Sequence, residues 1–267
     1  MSDREAGQII VVTAEKGGVG KTTTAVHVGA ALARGGASVL LVDADQQGSV
    51  ATALGLEAEP GIFNALVVQM SPAQCIRQTG RENLYLLPGN QKTKTAATII
   101  STQIASRELE LWDVGEMLQR LGRAYEYMVI DTPANSVLQE AALSVADVVL
   151  IPAALDFLAM TGVAKTLENI KKLCVEAPRI LIVPTLYDKR LGEHTYNLGT
   201  LQATYPEQVT GPIVSRATMR SCAAYGQTIF EYDPVCLAGE GYETLALQIH
   251  RGSTTEQGEA EHAHVYN

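Results

Sequence analysis

The chain has no apolar run near the roughly 20 residues that a membrane-spanning helix needs. Its opening, Met1-Ser2-Asp3-Arg4-Glu5, lacks the pattern of a secretory leader. Cysteine is scarce and scattered: Cys75, Cys174, Cys222 and Cys236 stand far apart with no CxxC spacing, so they read as reduced packing thiols. Basic residues are outnumbered, 20 Lys and Arg against 29 Asp and Glu, for a net charge of −9. That balance argues against a protein coated in positive charge, although a local basic face can still act within an acidic whole. No Pro- or Ser-rich stretch marks a linker, and 267 residues at 46% hydrophobic suffice for one large domain. The expectation from these absences is a cytoplasmic protein with no membrane partner.

What is present is concentrated near the start. An apolar β-branched run, Ile9-Ile10-Val11-Val12-Thr13, leads into Lys16-Gly17-Gly18-Val19-Gly20-Lys21-Thr22-Thr23 and then a helical pattern from Thr24 to Ala33. A buried strand, a glycine-rich turn and a helix N-terminus in that order form a phosphate cradle, because backbone N–H groups and the helix dipole converge there. Lys21 is then placed to reach β- and γ-phosphates, and the Thr22 hydroxyl to ligate Mg²⁺. A glycine-rich loop by itself can be a mere tight turn; the flanking elements and two acidic strand ends favour a nucleotide. The general pattern has Gly five residues before Gly20, where this chain has Glu15, followed by a second lysine, Lys16.

Further along, 38–43 is a short apolar strand ending in acid, and Asp43-Ala44-Asp45 places two carboxylates at its carboxyl end, where ligands of open α/β sheets sit. Residues 49–82 read as helix, loop and helix, broken at Pro60-Gly61, and 83–88 as a strand. The Thr- and Ser-rich stretch 91–106 shows no clean period and reads as mobile or partner-facing, while 107–121 has helical spacing with Trp112 expected in the core. An apolar strand ending at Asp131 has the form of a Walker B element, whose acid holds the Mg²⁺ shell. Strands at 147–152 and 179–185 flank a helix over 156–176, and helices and a short strand fill the rest to residue 250. The alternation predicts one α/β domain over 1–250: a single doubly wound, mostly parallel sheet with helices on both faces. Residues 251–267 are polar and acidic and read as a disordered tail, His262 and His264 included.

Three motifs together, Lys16 to Thr23, Val42-Asp43-Ala44-Asp45-Gln46-Gln47-Gly48 and Val129-Ile130-Asp131-Thr132-Pro133, resemble the ParA/MinD family of deviant Walker P-loop ATPases. Leu87-Pro88-Gly89-Asn90, Thr185-Leu186-Tyr187-Asp188-Lys189-Arg190 and the run 213–234 are similar to its ParA branch. The resemblance extends from about Ile9 to Leu247. It implies slow hydrolysis of ATP with Mg²⁺ in a sandwich homodimer formed in the ATP state. Lys16 would cross to the partner's nucleotide, with Lys21 on the phosphates in its own subunit. Asp45 would orient the attacking water, and Thr22, Asp43 and Asp131 would lie on the metal side. Residues Lys16, Gly17, Gly18, Val19, Gly20, Lys21, Thr22 and Thr23 would line the ATP site.

The same resemblance implies non-specific binding of double-stranded DNA and a nucleoid-associated location, with a ParB-like or other adaptor stimulating hydrolysis to segregate a plasmid or chromosome. Carboxysome positioning by the same engine is a variant. Candidate DNA contacts are Lys165, Lys171, Lys172, Lys189, Arg190, Arg216 and Arg220. Three departures bear on the detail: Gln46 stands where Pro is common, Pro133-Ala134-Asn135 replaces Pro-Pro-Ser, and Val214-Ser215-Arg216-Ala217 replaces Ile-Pro-Arg-Asn near the adenine. A MinD-like membrane regulator would need a basic amphipathic carboxy-terminal helix, which the acidic tail opposes. An iron–sulfur carrier or a small-molecule ligase lacks support from paired cysteines or from the Lys16 motif.

Overall fold

The computed structural model describes residues 7–156, 159–174 and 176–264. Seven strands form one sheet: β1 (Gln8–Val12), β2 (Val39–Asp43), β3 (Arg77–Gln78), β4 (Leu84–Leu87), β5 (Tyr127–Asp131), β6 (Val148–Ala154) and β7 (Arg179–Thr185). Their order is β3-β4-β2-β5-β1-β6-β7, parallel throughout except for β3 against β4. Helices α1 (Lys21–Arg34), α2 (Ser49–Leu54), α3 (Ile62–Leu66), α4 (Pro72–Cys75), α5 (Lys92–Ala105) and α6 (Leu111–Gly122) precede β5. After it come α7 (Val137–Ser144), α8 (Ala159–Leu173), α9 (Gly192–Thr204), α10 (Ala217–Ala224), α11 (Ile229–Tyr232) and α12 (Leu237–His264), with β6 and β7 between α7 and α9.

Alternating strand residues feed two cores, one on each face, as the two-residue repeat of a strand requires. Ile10, Val12, Val39, Leu41 and Val129 pack under α1 and α12, whereas Ile9, Val11, Leu40, Val42 and Ile130 pack under the helices of the other face. The doubly wound sheet expected from the strand–helix alternation is therefore the one observed. Its parallel strands end along a single edge, so the loops after β1, β2, β5, β6 and β7 share that edge.

Three expectations are corrected. The stretch 91–106 is helix α5, not a mobile segment: Asn90 N–H donates to Thr93 Oγ1 at 3.0 Å and Lys92 N–H to Asn90 Oδ1 at 2.9 Å. Thr93, Ala96 and Ile100 form its buried stripe. Threonines hide this period because they pack like small apolar residues while counting as polar. Trp112 is not core packing. It is 44% exposed and donates from Nε1 to Glu116 at 3.3 Å. Val114, Leu118 and Leu121 set the buried stripe of α6, and Trp112, two residues before Val114, falls about 200° round the helix from it. The boundary drawn at residue 250 falls inside α12, which continues as helix to His264, while residues 265–267 lie outside those described.

Cys75, Cys222 and Cys236 are buried, and all four cysteines are free thiols. Burial pushes the Cys75, Cys174 and Cys222 thiols up, away from reactive thiolate.

His27 ties α1 to the carboxy-terminal elements. It is buried, stacks on Tyr242 at 5.2 Å, and its Nε2 accepts the Ile229 N–H at 3.0 Å. That acceptance leaves the proton on Nδ1, which donates to Thr23 O at 2.7 Å. Burial lowers its pKa from 6.5 to about 4. The unfolded chain thus binds a proton near 6.5 that the folded chain refuses until about 4, so His27 costs stability as pH falls through that window. Between pH 7.5 and 4.5 the loss is on the order of 2 to 3 kcal/mol. Urea titrations of wild type and His27→Gln at both pH values should differ by that amount. The comparison cancels contributions from buried carboxyls, which act in the opposite direction. Equal pH dependence in the two proteins would contradict the assignment.

Candidate functional site

The loop between β1 and α1 begins on a rigid base. The Thr13 N–H donates to Leu150 O at 3.0 Å, and Gln139 Nε2 donates to Thr13 Oγ1 at 2.6 Å. At the far end Val19 is buried, and its carbonyl accepts the Thr185 hydroxyl at 2.7 Å. Between these anchors Gly17 and Gly18 are exposed. Gly20, at φ 91°, turns the chain into α1 in a conformation that disfavours any side chain. No side chain caps α1 and no acid occupies its first turn, so the positive end of its dipole faces the loop unopposed. Lys21 curls back with Nζ 3.5 Å from Lys16 O, which sets its amine over the same concavity. An anion of phosphate size and charge matches this arrangement.

The acids meet the cradle from two neighbouring strands. Asp43 and Asp131 lie side by side in register at the ends of β2 and β5. Asp43 is fully buried and accepts the N–H groups of Asp45 and Val50, each at 3.0 Å. Asp131 accepts the Thr22 hydroxyl on Oδ2 at 2.6 Å, while its buried Oδ1 has no hydrogen-bond partner. Burial pushes both carboxyls above the usual carboxylate range. On Asp131 the charge of Asp43 adds to the rise, whereas on Asp43 the N–H groups of Val50 and Asp45 pull it back.

Two buried acids side by side with an orphaned oxygen between strand ends are what a hard cation relieves. Thr22, Asp43 and Asp131 therefore fit Mg²⁺, which takes few protein oxygens and completes its shell with water and phosphate. Among the described residues no group of three or more His, Cys, Asp or Glu able to hold a metal occurs. Asp45 sits partly exposed beside them, one oxygen accepting the Gln47 N–H at 3.0 Å. The loop after β4 closes this corner. A β-carbon on Gly89 would collide with the Asp43 and Asp45 carbonyls, so only glycine lets that backbone lie against the acids.

Lys16 reaches the end of β6, where its Nζ pairs with Asp156. Asp156 escapes the motif reading, although its signal is the same as that of Asp43 and Asp131: an acid just past an apolar parallel strand. Glu15 carries a second surprise. Its side chain is 8% exposed and accepts from Lys165 Nζ at 2.8 Å and from Asn169 Nδ2 at 2.6 Å, both on α8. Lys165 is thereby bound to the loop and is not a free DNA contact.

The basic candidates divide. Ser215 N–H donates to Tyr187 O at 2.7 Å, which brings Arg216 and the first turns of α10 close to Lys189 and Arg190 after β7. Arg220 lies one turn further along α10. Lys171 and Lys172 do not join this group, because α8 runs back antiparallel to the strands and leaves them at its far end, on the opposite edge of the sheet. All six side chains are exposed. Arg190 is gripped by Asp188 through Nε at 2.9 Å and Nη2 at 2.6 Å, which holds the Asp188 carboxyl well below the usual range.

Comparison with known proteins adds to this geometry. A family model described as an AAA domain matches residues 7–182. The chain is 32% identical to the sporulation initiation inhibitor protein Soj of Bacillus subtilis, over 91% of this chain and 98% of that protein. It is 30% identical to the chromosome partitioning protein ParA of Caulobacter vibrioides, over 91% and 93%. In fold it is similar to the Cyanothece McdA complex with ATP, at a TM-score of 0.78 and 22% identity over 92% of this chain and 98% of that one. It is likewise similar to the septum site-determining protein MinD of Pyrococcus horikoshii with Mg-ADP, at a TM-score of 0.75 and 19% identity over 91% and 96%.

Proposed function

This chain belongs to the ParA/MinD-like P-loop ATPases, and from that premise we propose that it is an ATP-switched dimer that grips double-stranded DNA and moves or positions a cargo on it. The chain is an ATPase of that family, and ATP with Mg²⁺ is its substrate pair. The rest is our reading. Backbone N–H groups from Gly17 to Thr22 and the Lys21 amine hold the β- and γ-phosphates. Thr22, Asp43 and Asp131 would hold Mg²⁺, which when bound neutralises phosphate charge. Asp45 orients the attacking water.

The observation that carries the dimer is the position of Lys16. It stands on the edge where the strands end, immediately before two exposed glycines, and is itself 34% exposed. A cation so mounted can leave Asp156 for a phosphate of a second subunit, and only when two subunits meet does it offset that charge. ATP then links the two halves, and loss of the γ-phosphate loosens them. An adaptor protein that stimulates hydrolysis would turn this cycle into a timer. The cargo on this reading is a plasmid or chromosome, in keeping with the ParA and Soj relatives.

DNA binding would fall mainly to Lys189, Arg216 and Arg220, with Arg190 contributing once it gives up Asp188. Lys171 and Lys172 would meet a different face. The test is binding of non-specific duplex DNA with ATP, with ADP and without nucleotide. Binding should require ATP and should weaken linearly in log–log form as salt rises, because released counterions drive it. Equal binding in all three conditions would overturn the switch. A nucleoid location depends on that binding. Among the described residues no helix is long and apolar enough to cross a membrane.

A further inference from the structure

Glu15 replaces the first glycine of the general phosphate-loop pattern, and neither the phosphate cradle nor the magnesium side uses it. Its carboxylate is nearly buried, yet it faces away from the nucleotide loop toward α8. Three side chains of α8 one turn or less apart meet it there. Lys165 and Asn169 donate to its two oxygens at 2.8 and 2.6 Å, and the Glu15 N–H points to Thr166 Oγ1 at 3.4 Å. Thr166 is itself buried and returns its proton to Gly162 O at 2.9 Å, so this part of α8 is a fixed base.

The clasp matters because, beyond the Lys16 amine on Asp156 and the Lys21 amine at the Lys16 carbonyl, the next residues make few contacts. Gly17 and Gly18 have no neighbour within 4 Å of where a β-carbon would stand, so nothing packs against that span. The next fixed point is Val19, through its carbonyl and Thr185. The Lys16 backbone is therefore fixed at Glu15 before it and at Val19 after it, while its amine rests on Asp156, the contact it must leave to act. With the clasp to α8 removed, the backbone ahead of Lys16 joins the glycines as free chain, and the amine, once it leaves Asp156 for a phosphate, loses its direction.

The geometry points to Glu15 as a positioning residue: through Lys165 and Asn169 it fixes the loop front on α8 and so aims Lys16. This rests on the reading of Lys16 as the cation delivered to the transition state. Misaiming a catalytic group by ~1 Å costs on the order of a hundredfold in rate, while phosphate binding through Lys21 and the backbone N–H groups is untouched.

The two effects separate in steady-state ATPase kinetics of the full chain with Mg²⁺ and duplex DNA. Glu15→Ala should lower kcat by at least about tenfold and keep KM for ATP within about twofold. Glu15→Gln, which still accepts from Asn169, should recover kcat to within about threefold of wild type. Should Glu15→Ala fail to fold, Asn169→Ala leaves the Lys165 pair in place and should show the same split at about threefold. A rise in KM that matches the fall in kcat, or a wild-type kcat in folded Glu15→Ala, overturns the aiming role and leaves the ATPase reading intact. A wild-type chain without turnover overturns the reading itself, and the clasp with it.

Discussion

Lys16→Ala is expected to fold, to keep its hold on ATP, and to lose hydrolysis by at least about a hundredfold, which corresponds to about 2.7 kcal/mol of transition-state stabilisation. Folding should survive because the side chain gives up a partly exposed pair with Asp156, the kind of surface ion pair that contributes little. Binding should survive because the cradle is built from other groups: the open end of α1, the Gly20 turn and the Lys21 amine that curls back over the loop. What goes missing is charge that arrives only with the second subunit. The measurement is turnover at saturating ATP beside nucleotide affinity, with sedimentation to read the ATP-dependent dimer, which should weaken. Normal turnover would remove Lys16 from the chemistry and return it to a lysine that merely pairs with Asp156.

The sheet and the cradle are legible in the sequence because they rest on short-range patterns. A continuous apolar run can be read as a buried parallel strand, and β2, β5 and β7 begin and end within a residue or so of where those runs do. The glycine loop and the carboxylates at 43, 45 and 131 emerge from the same runs. What stays hidden depends on contacts between distant stretches. Nothing near Lys16 announces Asp156, 140 residues away, and the partners of Glu15 lie 150 and 154 residues away. The basic candidates show the same limit. Lys171 and Lys172 sit closer in sequence to Lys189 than Arg216 does, yet the return of α8 sends them to the other edge while the pairing of Tyr187 with Val214 brings Arg216 in. Trp112 misleads for a different reason: size and hydrophobicity argue for burial, but its angle on α6 decides, and the angle faces outward.

Asp45→Ala should, like Lys16→Ala, keep ATP and lose hydrolysis, but unlike it should keep the dimer. The variant should bind ATP with Mg²⁺, form the dimer, hold DNA, and hydrolyse at least about a hundredfold more slowly, so that the ATP state accumulates. The geometry gives two reasons to expect binding to persist. Asp45 makes its side-chain hydrogen bond to Gln47 in its own turn, whereas the carboxylates set for the cation, Asp43 and Asp131, are fixed by Val50, the Asp45 backbone N–H and Thr22. Replacing the side chain with Ala retains that backbone N–H, so the support of Asp43 is unchanged. Asp45 is also partly exposed, in reach of water, while Asp43 and Asp131 are buried. Of the three acids it is the one free to orient a nucleophile. ATP-dependent DNA retention that outlasts the wild-type signal, with phosphate release near background, is the expected pattern. A variant unable to bind ATP would instead make Asp45 a structural member of the turn that Gly89 closes, and the water-orienting role would pass to another group on the strand edge.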